Sequence, residues 1–531
     1  MPSYSCALCS HLYDEEAEGT PLIDLPDNWA CPICGSGKEQ FIPSHEPATK
    51  TEMPAVPSLP KSYTCELCSF VHDEAEESVA WDDLPDDWVC PVCGSPKSAF
   101  TANEKSETRP VDSAPKEQSS DVDEDYLQEW RRPADDVETH MADIHHMAMH
   151  GKTVISPMRS QVPTISWSEI LFKGAQLAKI PLNKSQPVNS RTIIGPNAAC
   201  PLVIETPITI THMSYGALSP EAKLALSKGS AKAKSAMCSG EGGILPESME
   251  SAYKYIFEYV PNKYSVTDEN LQGADAVEIK IGQSAKPGMG GHLPGNKVTK
   301  EIAKVRGMRE GKDVISPSHF PDILTPEDLK KRVEWLREKT GGKPIGVKVA
   351  AGNIEADLEV ALFAKVDFIT VDGRAGATGA APKVVKDVAS VPTVFALARA
   401  RRFLDKKNAQ GVSLIITGGF RVSADMTKAL CMGADAIAIG SAAMMALGCQ
   451  QYRICGTGRC PIGIATQDPV LRARLDVEKS ANRVANFLQV CNDEIKDFSR
   501  MTGNADIHDM SCRDLCTANS EVSGYTPIEH V

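Results

Sequence analysis

The chain has 531 residues, 42% of them hydrophobic and 24% charged, and a formal net charge of −14. That length calls for several domains, or one large barrel with smaller modules, and the acidic balance argues against a nucleic-acid partner, which needs an accumulation of Lys and Arg. No run of about 18 apolar residues exists to cross a bilayer.

The opening, MPSYSCALCSHLYDEE, has neither a basic start nor an apolar stretch, so no secretory signal is expected. The 17 cysteines are then expected in a reducing cytoplasm, where clustered thiols bind metal more readily than they form bridges. Charge is unevenly spread: residues 1–125 carry 26 acidic and 7 basic side chains, a net of −19, which leaves +5 for the remainder. The two parts should attract each other.

Two copies of one small module come first, over residues 1–45 and 61–102. Each contains two Cys-x2-Cys pairs, and the sets Cys6, Cys9, Cys31, Cys34 and Cys65, Cys68, Cys90, Cys93 lie 59 positions apart. Such turns aim both sulfurs at one centre, so two of them make a tetrahedral thiolate cage for zinc or iron. The segments DLPDNWACPICG and DLPDDWVCPVCG resemble rubredoxin, with Tyr4, Tyr63, Phe41 and Phe100 at that family's aromatic core positions. The resemblance implies one iron per module and one-electron transfer. A structural zinc ribbon would use the same four thiolates. Ser10 and Ser69 stand where the family has Gly, and Leu22 where the second copy keeps Trp81; changes beside the sulfurs bear on their hydrogen bonds and so on the potential.

Linkers at 46–60 and 103–125 are rich in Pro, Ser and charge and cannot bury a core, so they read as tethers. A helical lead-in is expected over 126–153. It sets His140, His145, His146 and His150 close together, but no carboxylate pattern accompanies them, and solvated or core histidines are the expectation.

From 154 to 500, β-branched runs alternate with helix-length segments: PITITHMS, DAVEIKIG, PIGVKVAAG, DFITVDGRAG, SLIITGGF and DAIAIGS. That rhythm implies a (β/α)8 barrel with its active-site loops at the strand ends; a doubly wound sheet lacks its Gly-x-Gly-x-x-Gly here. Gly418 and Gly419, then Gly440 and Ser441, put small residues and free N–H groups after the last two strands, where a phosphate docks. Next comes GCQQYRICGTGRCPIG, whose Cys449, Cys455 and Cys460 leave a metal cluster, a nucleophile and a disulfide with a spare thiol all open on spacing alone.

Longer matches narrow this. THMSYGALSPEAKLAL, CSGEGG, KIGQSAKPGMGGHLPGNKVTKEIAKVRG, DGRAGATGAAP and the run from ITGGFRVSADM through GCQQYRICGTGRCPIGIATQ closely resemble the FMN-binding synthase domain of glutamate synthase, over about residues 150–500. The resemblance implies that Cys449, Cys455 and Cys460 hold a [3Fe–4S] cluster, whose missing corner needs no fourth thiolate. It further implies that Ser214, Tyr215 and Gly216 lie along FMN and that Gly418, Gly419, Gly440 and Ser441 cradle its phosphate. Glu241, Lys280, Gln283 and Lys286 match residues around the reactive face of the flavin and a 2-oxo dicarboxylic acid. Ammonium groups suit two carboxylates, and a carboxylate suits an imine, which it orients or supplies with a proton.

Met289 replaces an acidic residue common in the long glutamate synthases. The chain opens directly on a module, so no N-terminal amidotransferase domain is expected, and nitrogen would arrive as ammonia, as a small amine, or from a separate glutaminase. The tail 501–531, with Cys512 and Cys516, reads as packed structure. The implied activity is formation of glutamate, or an N-substituted glutamate, from 2-oxoglutarate, with electrons passing from a separate reductase through the module irons and the cluster to FMN. Three alternatives stay open: reverse-direction amino-acid or amine dehydrogenation or reduction of another 2-oxo acid, an inosine-monophosphate-dehydrogenase-like barrel with a cysteine nucleophile, and an electron-transfer relay with an inactive barrel. The intact GEGG and KIGQSAKPG loops argue against the relay. Oligomeric state is left open.

Overall fold

Eight short strands close into a parallel barrel: β1 (Ile208–Ile210), β2 (Ala236–Cys238), β3 (Lys254–Tyr259), β4 (Ala276–Lys280), β5 (Ile345–Ala350), β6 (Phe368–Asp372), β7 (Ser413–Thr417) and β8 (Ala436–Ile439). Pairing of Ile208 with Ile437 and of Ile210 with Ile439 shuts the ring between β1 and β8. The structure, a computed structural model, describes residues 3–6, 12–14, 20–26, 29, 38, 41–43, 62–65, 71–73, 81, 84, 85, 88–90, 95–103, 132 and 134–531.

Helices cover the outer face of the barrel and side chains from the other strands fill its interior, so both faces of each strand are buried and the strands read as largely unbroken apolar runs instead of alternating ones. Six of the eight are the runs that the sequence displays. The other two, β2 and β3, hide for local reasons: AMC is too short to show a period, and KYIFEY carries a charge at its start and another near its end. Connecting helices start on ordinary caps. Ser219 accepts from the Ala222 N–H ahead of Pro220–Lys232, and Thr325 with Asp328 forms a capping box ahead of Pro326–Lys339. A 25-residue helix, Val477–Met501, lies along Pro220–Lys232 and buries Ala481, Val484 and Leu488.

Each N-terminal module contains a three-stranded antiparallel sheet. In the first, Ser3–Cys6 lies between Leu12–Asp14 and Phe41–Pro43; in the second, Ser62–Cys65 lies between Val71–Asp73 and Phe100–Asn103. Their cores differ at the position noted above. Trp81 stacks on Tyr63 with ring centroids 4.3 Å apart, whereas buried Leu22 leaves Tyr13, Trp29 and Phe41 to pack edge to face. One contact repeats at equivalent positions: Lys38 Nζ donates to the Leu25 carbonyl at 2.7 Å and Lys97 Nζ to the Leu84 carbonyl at 3.0 Å.

The lead-in is helical only over Met141–His150 among the described residues, and that helix buries none of its side chains. Lys383 holds it to the barrel through Asp143 at 2.7 Å. His146 and His150 stack edge to face, but no group of three or more His, Cys, Asp or Glu stands ready for a metal ion among the described residues. The C-terminal segment is integral to the fold: Leu515–Thr517 pairs with Leu171–Phe172 and with Glu529–His530, Cys516 is buried, and the Cys512 thiol reaches the Cys431 carbonyl at 3.4 Å. No described helix is long and apolar enough to cross a membrane.

Candidate active site

The C-terminal ends of the strands deliver their side chains to one cavity. The loop after β1 supplies His212 and Ser214, β2 leads to Glu241, and β4 leads to Gln283 and Lys286. β5 contributes Lys348, β6 Asp372, β7 is followed by Gly418 and Gly419, and β8 by Gly440 and Ser441. A parallel barrel places its reactive groups at this end because every loop that follows a strand opens there.

The glycine loops have the chemistry of an anion cradle. Gly418 has φ +112°, and a Cβ there would sit 2.3 Å from the Gly373 carbonyl oxygen, so no other residue fits. The amide N–H groups of Gly419, Gly440 and Ser441 donate to no acceptor among the described residues. Unpaired amides in a concave wall call for an acceptor, and a phosphate supplies several oxygens.

Glu241 and Lys280 form a buried ion pair. Burial alone would raise the Glu241 pKa, but the Lys280 ammonium, with a smaller contribution from the Lys286 charge, pulls it down to about 2. Lys280 is thereby engaged and does not line the cavity, whereas Lys286 and Gln283 do. Lys286 Nζ donates to the Gly290 carbonyl at 2.9 Å, and burial depresses its pKa. Gln283 Nε2 lies 3.3 Å from Thr378 Oγ1. Of the segment 214–216, only Ser214 faces the cavity. Tyr215 turns into a separate apolar cluster with Val260, Tyr264 and Leu293, and Gly216, at φ +101°, makes the turn that sends it there. Gln467 Nε2 secures that turn on the carbonyls of Gly216 and Leu218, at 3.1 and 2.9 Å.

The three-cysteine loop lies against the same cavity. Cys455 lines it, Cys460 is buried, and Cys449 accepts from the Gln451 backbone N–H at 3.4 Å and its side-chain amide at 3.3 Å. Burial raises the pKa of Cys455 to about 11, and the neighbouring Cys449 and Cys460 sulfurs add to it. Cys455 Sγ also touches Met158 Sδ at 3.7 Å. The three thiols are thus near enough to oppose one another's ionisation but are not drawn to the single point that one ion requires. The all-sulfur donor set is of the kind that iron–sulfur clusters take.

The pattern described as a conserved region in glutamate synthase matches residues 164–505, which takes in the whole barrel and this site. The chain belongs to the glutamate synthase family. The rubredoxin family matches residues 3–41 and 62–100, so two rubredoxin domains precede the glutamate synthase barrel. An archaeal glutamate synthase (NADPH) of Methanocaldococcus jannaschii is 44% identical over 316 residues, 59% of this chain and 61% of that protein, so the match spans under two thirds of that relative's length. The archaeal-type glutamate synthase (NADPH) of Thermotoga neapolitana is 37% identical over 67% of this chain and 75% of its own length. A glutamate synthase large subunit-like protein of Rhizobium meliloti is 33% identical over 73% of this chain and 92% of its own. Membership places the chain among oxidoreductases acting on CH–NH2 donors, implies iron for the rubredoxin domains and implies flavin for the barrel. Of the eight rubredoxin cysteines, Cys90 is described and buried, and Cys6 and Cys65 are described as strand ends only. Cys9, Cys31, Cys34, Cys68 and Cys93 lie outside the described residues.

The glutamate synthase barrel also contains a charged interior that the motifs do not announce. Lys348 Nζ lies 2.8 Å from Glu258 Oε1, His212 contacts Glu278, and Thr370 Oγ1 donates to the other oxygen of Glu278. Burial works against a charged His212, but the Cys238 sulfur and the Glu258 and Glu278 carboxylates outweigh it and push the pKa up to about 10. Asp372 is raised by burial although the Ser284 N–H and Oγ–H both donate to it. A visible signal existed: Glu258, Glu278 and Lys348 each stand between two apolar residues of a strand, and a charge in such a place has the barrel interior to face. Lys297, buried beside Cys455, carried no comparable mark, since it sits in a glycine- and proline-rich loop.

Proposed function

We propose that this protein is a flavin- and iron–sulfur-dependent glutamate synthase that reduces the imine formed from 2-oxoglutarate and ammonia, or a small amine, to the amino acid. One observation carries the reading: Gly418, Gly419, Gly440 and Ser441, the buried Lys286 ammonium and Cys455 of the three-thiol loop all line one cavity at the C-terminal end of the barrel. Bound FMN would supply hydride transfer, and the cluster and rubredoxin irons would supply one-electron steps.

The residues present fit these groups. Gly418, Gly419, Gly440 and Ser441 would hold the FMN phosphate through amides that otherwise lack acceptors, with Ser214 beside the ring. Cys449, Cys455 and Cys460 would hold the [3Fe–4S] cluster, and the four cysteines of each rubredoxin domain would hold one iron. Lys286 and Gln283 hold and orient the carboxylates of the 2-oxo diacid. Glu241, kept ionised by Lys280, accepts the N–H of the iminium ion and fixes its orientation. A carboxylate with a pKa near 2 is a poor proton donor at neutral pH, so its part is orientation more than proton delivery. Lys280 acts through Glu241 as a positioning residue.

Electrons enter from a separate reductase, and the relatives' names point to NADPH as its source. The net −19 of residues 1–125 against +5 for the remainder favours close approach of the rubredoxin domains to the barrel. The test uses purified protein, reduced anaerobically and then mixed with 2-oxoglutarate and ammonium or methylamine while flavin absorbance is followed. Reoxidation with accumulation of glutamate or N-methylglutamate is expected; a flavin that stays reduced with both amines overturns the reading.

A further inference from the structure

Lys297 is the side chain that joins the cavity wall to the three-cysteine loop. It ends the short turn Gly295–Lys297 and is only 4% exposed, and its Nζ donates to the Cys455 carbonyl at 2.6 Å. Its methylene chain packs beneath the same loop, so that a Cβ on Gly458 would stand 3.2 Å from Lys297 Cε. Asn296 adds a second tie, from Nδ2 to the Thr457 carbonyl at 3.3 Å. Lys297 and Cys455 both line the cavity.

No carboxylate stands beside this ammonium among the described residues; the nearby groups able to carry negative charge are the sulfurs of Cys455 and Cys460. A buried charge without a counter-charge is costly, and the fold retains it only where something compensates. Three thiolates on an iron–sulfur core provide net negative charge at that place, and one more unit of it after a one-electron reduction.

We propose that Lys297 is a positioning residue for the cluster held by Cys449, Cys455 and Cys460: it anchors the Cys455 backbone, and its ammonium favours the reduced, more negative state of the cluster. The inference rests on the reading that these cysteines hold a [3Fe–4S] cluster. Lys297 exchanges no proton and forms no bond. Its influence is electrostatic, exerted from a side chain held against the Cys455 backbone.

The experiment is an EPR-monitored redox titration of the full-length protein with dithionite, with iron, sulfide and flavin contents measured alongside. Wild type is compared with Lys297→Met, which removes the charge and keeps the length, and with Lys297→Arg, which restores the charge. The Met variant is expected to retain iron, sulfide and flavin while its cluster becomes at least tenfold harder to reduce, a fall of about 59 mV for one electron. The Arg variant is expected to return most of that shift. A Met variant with the wild-type midpoint, an Arg variant displaced as far as Met, or loss of the cluster from both variants overturns the inference. If the Met variant does not accumulate with flavin bound, Lys297→Gln, which keeps a donor without the charge, is titrated under the same criteria. Wild-type protein without a three-iron signal sinks the cluster reading itself, on a measurement independent of every variant.

Discussion

Lys348 on β5 reaches Glu258 on β3 across the barrel interior, Nζ to Oε1 at 2.8 Å, with only 5% and 1% of the two side chains exposed. Neither strand pairs with the other in the barrel, so the contact spans the lumen over β4. Removing one partner leaves a buried charge unpaired, which costs about 3–5 kcal/mol. Lys348→Met should therefore destabilise the folded barrel by about that amount in urea unfolding. Lys348→Met combined with Glu258→Gln should recover a large part of the loss. A single variant within about 1 kcal/mol of wild type would show that the pair contributes little.

His212 supplies a pH signature. Its pKa is raised from 6.5 to about 10, so its protonated form contributes stability that is fully present below pH 6.5 and is lost as pH rises through about 10. The groups facing it are Cys238 on β2, Glu258 on β3, Glu278 on β4, Lys348 on β5 and the neighbouring Thr211 hydroxyl. In thermal unfolding from pH 6 to pH 10, the gap between wild type and His212→Asn should be widest at the acid end and narrow steadily above pH 6.5. A gap independent of pH would mean that the histidine is neutral in the fold.

Gly418→Ala tests the cradle. At φ +112°, with a Cβ that would stand 2.3 Å from the Gly373 carbonyl oxygen, the loop must shift to admit a methyl group. Such a strained position costs about 1–3 kcal/mol, and the flavin-to-protein ratio should fall along with the melting temperature. Full flavin content in the purified variant would place the phosphate elsewhere.

Cys455→Ser should strip cluster iron and sulfide while leaving flavin bound, because the cradle is built on other loops. An unchanged iron and sulfide count rules out Cys455 as a ligand.

Glu241→Gln keeps the shape of the side chain and removes the charge that holds Lys280. Flavin content should be unaffected, and the rate of flavin reoxidation by 2-oxoglutarate and ammonium should fall by about 100-fold. An equal rate in the variant would remove Glu241 from any role at the imine. The wild-type carboxylate should stay ionised across the working range, since its pKa is depressed to about 2, and its stabilising pair with Lys280 weakens only as pH falls below 4.5 toward that value.

Part of the site was legible because it is written in contiguous residues. Gly418 with Gly419, Gly440 with Ser441, and the spacing of Cys449, Cys455 and Cys460 are local patterns, and the backbone freedom or thiol chemistry they encode survives in any sequence-level reading. Tyr215 shows the opposite. Its neighbours Ser214 and Gly216 place it in the right loop, yet the turn at Gly216 sends its ring into the core with Tyr264 and Leu293. Lys280 and Lys286 are six positions apart and chemically alike, but one is engaged by Glu241 and the other faces the cavity.

By itself the sequence determined the modules, the parallel barrel and the cysteine spacing, since strand period, helix caps and Cys-x2-Cys turns depend on neighbours along the chain. Tertiary structure alone decided which charges meet. Glu258 with Lys348, His212 with Glu278, and Lys297 with the carbonyl of Cys455 are separated by 66 to 158 residues, and only barrel closure brings them together. Their ionisation follows from that closure, because burial makes each charge depend on the partner that folding puts beside it.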